Sequence, residues 1–96
     1  MSRQKLSEAE IGSSLGRIQG WSYKDGKLQR QFTFKDFVQA WGFMSSCALV
    51  AEAMNHHPDW KNVWNRVDVE LSTHDAGGVT KNDLELAQRM NQIFVR

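Results

Sequence analysis

The chain has a single cysteine, Cys47, and a single proline, Pro58, in 96 residues. One thiol excludes an intrachain disulfide, and it excludes any zinc site that draws two or more cysteines from one chain. Cys47 sits in an apolar stretch, where a free cysteine behaves as a small hydrophobe. Net charge is almost absent: twelve Lys and Arg oppose eleven Asp and Glu, leaving +1. That balance lacks the basic footprint of a nucleic-acid binder or a membrane-surface segment. A neutral or weakly charged small ligand suits it better than a polyanion. No apolar run is long enough to span a bilayer and no signal-peptide core is visible. The reducing cytoplasm is the expected compartment. Repeats, low-complexity tracts and linkers are missing too, so residues 1–96 are expected to form one domain around one core.

Local patterns predict an α-β-β-α-β-β-α order. Ser7 and Glu10 have capping-box spacing, with Leu6 and Ile11 as a hydrophobic staple. Ile11, Leu15 and Ile18 then mark a helical face, and Gly20 is the expected stop. Trp21–Tyr23 and Leu28–Phe34 read as strands joined by the Asp25-Gly26 hairpin signal. Leu28, Phe32 and Phe34 share a face of the second strand, interrupted by Arg30. A long helix is expected from about Lys35 to Asn55, closed by Pro58. Phe37, Trp41, Met44, Ala48 and Ala51 form an expected core stripe. A second stripe, Phe43, Cys47, Val50 and Met54, reads as a subunit interface, unless a terminal helix covers it. Val63-Trp64 suggests a short strand, Asn65-Arg66 a turn, and Val67–Thr73 a longer strand with one wet face. After the Asp75–Gly78 loop, Thr80 caps a last helix with Asp83 three residues on, and Val79 with Leu84 as a staple. The expected fold is α+β: a four-stranded antiparallel sheet with three helices packed on one face.

All three histidines, His56, His57 and His74, fall at element ends. A return of the long strand alongside the helix end would gather them at one rim of the sheet. Glu52, one turn before His56, is placed to accept a hydrogen bond from an imidazole and fix its tautomer. Imidazoles titrate near neutral pH, so such a cluster suits proton transfer in either direction. No well-placed nucleophile accompanies them, and no Gly-x-Ser-x-Gly elbow surrounds Ser72 or Thr73. Proton-transfer chemistry on a small molecule is the economical inference. Plainer readings stand beside it. His-His-Pro also fits a helix exit whose imidazoles cap carbonyls. Glu52 also fits a solvated helix charge, and Asp83 a first-turn acid. Trp60 and Trp64 fit core positions, and Gly77-Gly78 fits a turn rather than a phosphate cradle. Three histidines and a carboxylate are potential zinc ligands. However, adjacent histidines diverge on extended backbone and no His-x-x-x-His helix pair exists, so no metal is expected.

The ordered set Ala51-Glu52, His56-His57-Pro58, Trp60, Val63-Trp64-Asn65, Val67, Thr73-His74, Gly77-Gly78 and Asp83 closely resembles the pterin-4a-carbinolamine dehydratase family. That family is also known as the dimerization cofactor of a liver homeodomain transcription factor. The resemblance runs from Phe32 to about Ala87. It implies a hydro-lyase that dehydrates 4a-hydroxytetrahydrobiopterin, or a related pterin, to the quinonoid dihydropterin during tetrahydrobiopterin recycling, with no metal or bound cofactor. By position, His56, His57 and His74 would be the catalytic residues: His56 and His74 the acids for hydroxyls on the two ring faces, and His57 the group that binds and orients the pterin, with some share in proton transfer. Glu52 would support the histidines, Asp83 would assist, and Trp60 with neighbouring backbone would wall the pocket. Pro58 and Thr73 join the supporting or substrate-binding set. The resemblance also implies a homodimer or homotetramer built through the helix at 35–55. A non-catalytic binding module or transcriptional cofactor acting through that helix is the alternative. Asn55, Trp64 and Asn82 depart from residues frequent in the family, respectively Asp, Tyr and a basic residue.

Overall fold

The computed structural model describes residues 4–94, with elements in the order α1 (Glu8–Ser14), β1 (Ser22–Lys24), β2 (Lys27–Thr33), α2 (Phe37–Met54), β3 (Asp59–Val63), β4 (Arg66–Leu71) and α3 (Lys81–Phe94). The strands form one antiparallel sheet in the order β1-β2-β4-β3. Leu28 pairs with Leu71 and Phe32 with Val67, so these buried side chains line one face. Gln29 opposite Glu70 and Gln31 opposite Asp68 line the other, polar face. The helices cover the apolar face, which is the α+β layering expected from the alternation.

Local signals explain most boundaries. Ser7 and Glu10 form the reciprocal capping box. Beyond Ser14 the chain tightens into a 3-10 turn, Leu15–Arg17, so α1 ends before Gly20. Gly20 has φ +86, a conformation that favours glycine, and a Cβ there would lie 2.6 Å from the Arg30 guanidinium carbon and push that side chain aside. Asp25 (φ 55) and Gly26 (φ 78) make the tight turn that their sequence announces. Asp36 starts α2, its carboxylate accepting from the Gln39 N–H at 2.9 Å.

Arg30 interrupts an apolar face for a visible reason. Its guanidinium lies 4.4 Å from the Phe32 ring centroid and 5.1 Å from that of Phe94. It donates to the Gln19 carbonyl and to Asn91 Oδ1, both at 2.7 Å. Burial lowers its pKa from the ordinary arginine value. Asn91 Oδ1 also accepts from Trp21 Nε1 at 2.8 Å. This polar knot ties α3 to β2 and to the loop after α1. Phe32, Phe34, Phe43 and Phe94 pack beside it with centroids 4.6 to 6.2 Å apart.

The two stripes of α2 largely exchange the expected roles: of the expected core stripe only Ala51 is fully buried, and the second stripe meets the terminal helix α3 through Phe43 and Phe94, the alternative reading of the sequence. Phe43 and Cys47 are buried, together with Ala40 and Ala51, while Val50 and Met54 are partly buried against the core. Phe37 and Trp41 of the expected core stripe are exposed, as are Ala48, Val38 and Leu49, and Met44 is only partly buried. Periodicity reports that a helix has apolar faces. It does not report which face meets the chain's own sheet. Here Ala40, Phe43, Cys47 and Ala51 face the core, while Val38, Trp41 and Leu49 turn outward.

The second hairpin also differs from expectation. β3 starts at Asp59, and the turn falls on Trp64-Asn65 rather than Asn65-Arg66. Trp64 takes φ +50, a conformation rarely adopted by a bulky residue. Asn62 Nδ2 holds that turn by donating to the Trp64 and Arg66 carbonyls at 3.1 and 2.9 Å. Asn65 bonds back to Phe34 through both its backbone carbonyl and its side-chain amide.

Candidate functional site

The end of α2 fixes where the first two histidines go. Asn55 adopts the left-handed conformation, φ 52 and ψ 43. Its N–H bonds to the Glu52 carbonyl, and the His56 N–H bonds to the Ala51 carbonyl, each at 3.0 Å. These two bonds form a Schellman motif, which caps helix carbonyls and reverses the chain. The helix is thus stopped by Asn55, not by Pro58, three residues further on. Pro58 instead leads the chain into β3. The turn sends adjacent histidines in different directions: His56 is 6% exposed and faces inward, while His57 is exposed.

His56 Nε2 lies 2.5 Å from Oδ1 of Asp83, and the Asp83 side chain is fully buried. Asp83 comes from the first turn of α3. Its Oδ2 accepts from the Thr73 hydroxyl at 2.8 Å and from the Thr80 N–H at 2.9 Å. The second of these is one half of a capping box, with Asp in place of Glu. A hydrogen bond from His56 to an ionised Asp83 carboxylate requires the ring proton on Nε2. Among the described residues no buried side-chain polar atom lacks a partner. Nδ1 of His56 has no hydrogen-bond partner among the described residues and is not a fully buried atom, so it is the ring nitrogen open to the surface.

His57 Nε2 lies 2.8 Å from Oε1 of Glu52, and both side chains are more than half exposed. Glu52 therefore orients His57, not His56. The expected carboxylate support exists, but the two rings use different carboxylates. His74 opens a short 3-10 turn, His74–Ala76, between Thr73 and Gly77. The alternation of β4 puts the Thr73 hydroxyl inward and leaves His74 outward. The Ala76, Gly77 and Gly78 N–H groups all bond to the Thr73 carbonyl, and the Thr73 N–H bonds to the Gly78 carbonyl. Gly77, at φ +74, completes this turn. Thr73 thus connects the two histidine positions: its side chain braces Asp83 and His56, and its backbone folds the turn that carries His74. No hydrogen bond among the described residues holds the His74 ring.

Trp60 lies on the inward face of β3 opposite Val69 and packs against the core from that edge strand. Trp64 is exposed at the hairpin tip, so it is not the core residue that one reading of the sequence suggested. Among the described residues, no group of three or more His, Cys, Asp or Glu side chains is placed to hold a metal ion. A groove of about 730 Å³ runs between α1 and α3, lined by residues such as Leu6, Ile18 and Leu84. It contains none of the histidines.

Sequence reasoning missed two contributors. Asn55 carries the turn that separates His56 from His57, and the αL preference of asparagine was the available signal. The Thr80 hydroxyl contacts Thr73 Oγ1 at 2.7 Å behind Asp83, a link between residues seven apart that no local pattern announces.

The profile of the family described as Pterin 4 alpha carbinolamine dehydratase matches residues 4–93. A protein of Solibacter usitatus is 52% identical over 89 residues, 93% of this chain and 94% of its own, and carries the provisional name pterin-4-alpha-carbinolamine dehydratase. A Brucella ovis protein with the same provisional name is 47% identical over 95 residues, 97% of this chain and 98% of its own. The crystal structure of a transcriptional coactivator/pterin dehydratase from Brucella melitensis superposes with a TM-score of 0.91 at 46% identity, covering 94% of this chain and 98% of that one. A pterin dehydratase-like protein identified as a RuBisCO assembly factor in the alpha-carboxysome shares the fold, with a TM-score of 0.70 at 17% identity over 82% of this chain and 94% of that one. A family match over nearly the whole described chain, together with relatives near half identity, establishes that this chain belongs to the pterin 4 alpha carbinolamine dehydratase family.

Proposed function

We propose that this chain dehydrates 4a-hydroxytetrahydrobiopterin, or a close pterin-4a-carbinolamine, to the quinonoid dihydropterin, as a hydro-lyase in tetrahydrobiopterin recycling in the cytoplasm. The observation that carries this reading is the buried His56–Asp83 pair, 2.5 Å long, with the second ring nitrogen of His56 open to the surface. Dehydration breaks the carbon–oxygen bond at the carbinolamine carbon. An acid protonates the departing hydroxyl, water leaves, and a base takes the proton from the adjacent ring nitrogen. His56 has one nitrogen engaged by Asp83 and one available for that exchange. His74, exposed on the turn that Thr73 folds, is the second acid. His57, oriented by Glu52, binds and aligns the pterin. Trp60, Pro58 and the backbone around them wall the site. The pterin is the substrate, and the scheme draws on no metal and no bound cofactor.

The exposed apolar face of α2 supports self-association as a dimer or tetramer. Val38 is 77% exposed, Leu49 75% and Trp41 57%. A lone chain gains nothing by presenting such side chains together on one helix. The same face supports a second reading, a binding module or transcriptional cofactor that engages another protein through α2. A dehydration assay on the purified chain across pH separates the two. Accelerated formation of quinonoid dihydropterin with a bell-shaped pH–rate profile supports the enzyme. Absence of turnover, together with a stable heteromeric complex lost on substituting Trp41 or Leu49, supports the module.

A further inference from the structure

Behind the His56–Asp83 pair lie two hydroxyls, those of Thr73 and Thr80, that neither proton transfer nor helix capping accounts for. Thr73 is 2% exposed, and Thr80 and Asp83 are 0% exposed. The direction of each hydrogen bond here follows from counting protons. Thr73 has one hydroxyl proton, and its oxygen lies 2.8 Å from Asp83 Oδ2. A carboxylate oxygen offers only acceptance, so that proton is committed to Asp83. The 2.7 Å contact between Thr73 Oγ1 and Thr80 Oγ1 then requires Thr80 as donor. The result is an ordered chain, Thr80 hydroxyl to Thr73 hydroxyl to Asp83. The Thr80 N–H adds a second donor to the same oxygen at 2.9 Å.

We propose that the hydroxyls of Thr73 and Thr80 are positioning groups for His56: through Asp83 they hold the ring in the Nε2-protonated tautomer and so make Nδ1 the nitrogen that exchanges protons with substrate. Two donors on Oδ2 fix the carboxylate plane and leave Oδ1 facing Nε2. Bonds in a dry chain polarise one another, so each hydroxyl strengthens the next acceptor. The half of the α3 capping box that the structure shows uses the Thr80 N–H, which a side-chain substitution leaves in place. The hydroxyls are therefore separable from the cap. The kinetic half of the proposal rests on the dehydratase reading, whereas the tautomer half does not.

The test uses the whole chain, labelled with nitrogen-15, as wild type and as Thr73→Val, Thr73→Ser, Thr80→Val and Thr80→Ser. Ring proton–nitrogen correlation spectra report the His56 tautomer without substrate, and pterin turnover is measured on the same samples. The wild type should show the Nε2–H pattern. Thr73→Val should mix in the other tautomer and lower kcat by about tenfold, the low end for losing an outer-shell orienting partner, with KM little changed. Thr73→Ser should restore both readings. Thr80→Val should act in the same direction more weakly, because Thr73 still donates, and it decides the matter if Thr73→Val does not fold. An Nδ1–H pattern in the wild type would overturn the proposal. So would valine and serine variants that behave alike in both readings. A chain inactive on pterins but with the tautomer shifts as described would refute the reaction and leave the positioning role standing.

Discussion

His56 Nε2 and Asp83 Oδ1 lie 2.5 Å apart although their residues are 27 positions apart, one at the exit of α2 and one in the first turn of α3. Both side chains are buried. This contact joins the exit of α2 to the first turn of α3. An orienting carboxylate does its work only if it cannot turn, and the donors on Oδ2 supply that constraint.

Asp83→Asn tests the pair directly. The new amide has one acceptor oxygen where three donors now converge. If the oxygen keeps the Thr73 and Thr80 donors, the NH₂ group faces His56 Nε2, which is then either left as an unpaired buried donor or must move its proton to Nδ1. A buried unsatisfied group costs about 1–3 kcal/mol. Urea unfolding should show a loss of that order, and pterin turnover should fall at least tenfold, as expected when an orienting partner is removed. Unchanged stability and turnover would show that the carboxylate is incidental.

The left-handed Asn55 makes a prediction that distinguishes backbone from side-chain chemistry. Asn55→Gly should fold with stability within a few tenths of a kcal/mol of wild type, since glycine adopts this conformation freely. Asn55→Val should lose about 1–2 kcal/mol, the cost of a left-handed position for a residue with a branched Cβ. It should also loosen His56 and reduce turnover. Equal stability of the two variants, measured by denaturant unfolding, would contradict the Schellman account.

The Ser7–Glu10 box at the start of α1 gives a pH-dependent prediction. The Ser7 backbone N–H, and secondly its hydroxyl, lower the Glu10 pKa. A lowered carboxylate stabilises the folded chain above the ordinary glutamate range and loses that contribution as pH falls through the lowered value. Glu10→Gln should therefore remove part of the acid-side fall in stability and leave turnover intact. Ser7→Ala should cost about 1 kcal/mol at neutral pH. An acid limb of the stability curve identical in wild type and Glu10→Gln would refute the assignment.

Substitutions on α2 should separate the core face from the outward face. Phe43 packs 4.6 Å from Phe32, ring centroid to ring centroid, so Phe43→Ala should lose about 3–5 kcal/mol. Trp41→Glu with Leu49→Glu should instead leave a folded chain of lower mass in sedimentation equilibrium. An unchanged mass would remove the proposed self-association through this face.

The element order was legible because its signals are local. Ser7 and Glu10, Asp25 and Gly26, and the alternation of β2 and β4 each act within a few residues. The orientation of α2 was not legible, because both of its faces are apolar and only packing against β4 and α3 decides between them. β3 escaped for a related reason: Asp59–Val63 has little apolar alternation and becomes a strand by pairing with β4. In the site, the residue types were legible, but their pairing was not. Glu52 was expected beside His56 by helical spacing. The left-handed turn at Asn55 carries His56 away from it and brings His57 back. Asp83 reaches His56 from a different element, at a separation that no spacing rule covers.

The central claim is proton exchange between His56 and a pterin carbinolamine, and it is tested most directly by the rate of quinonoid dihydropterin formation from 4a-hydroxytetrahydrobiopterin with wild type and His56→Ala at equal concentration. The account predicts clear acceleration by the wild type. It predicts loss of at least a hundredfold in His56→Ala, within the usual contribution of a general acid, with the circular dichroism of the fold retained. Wild-type turnover in His56→Ala would contradict it.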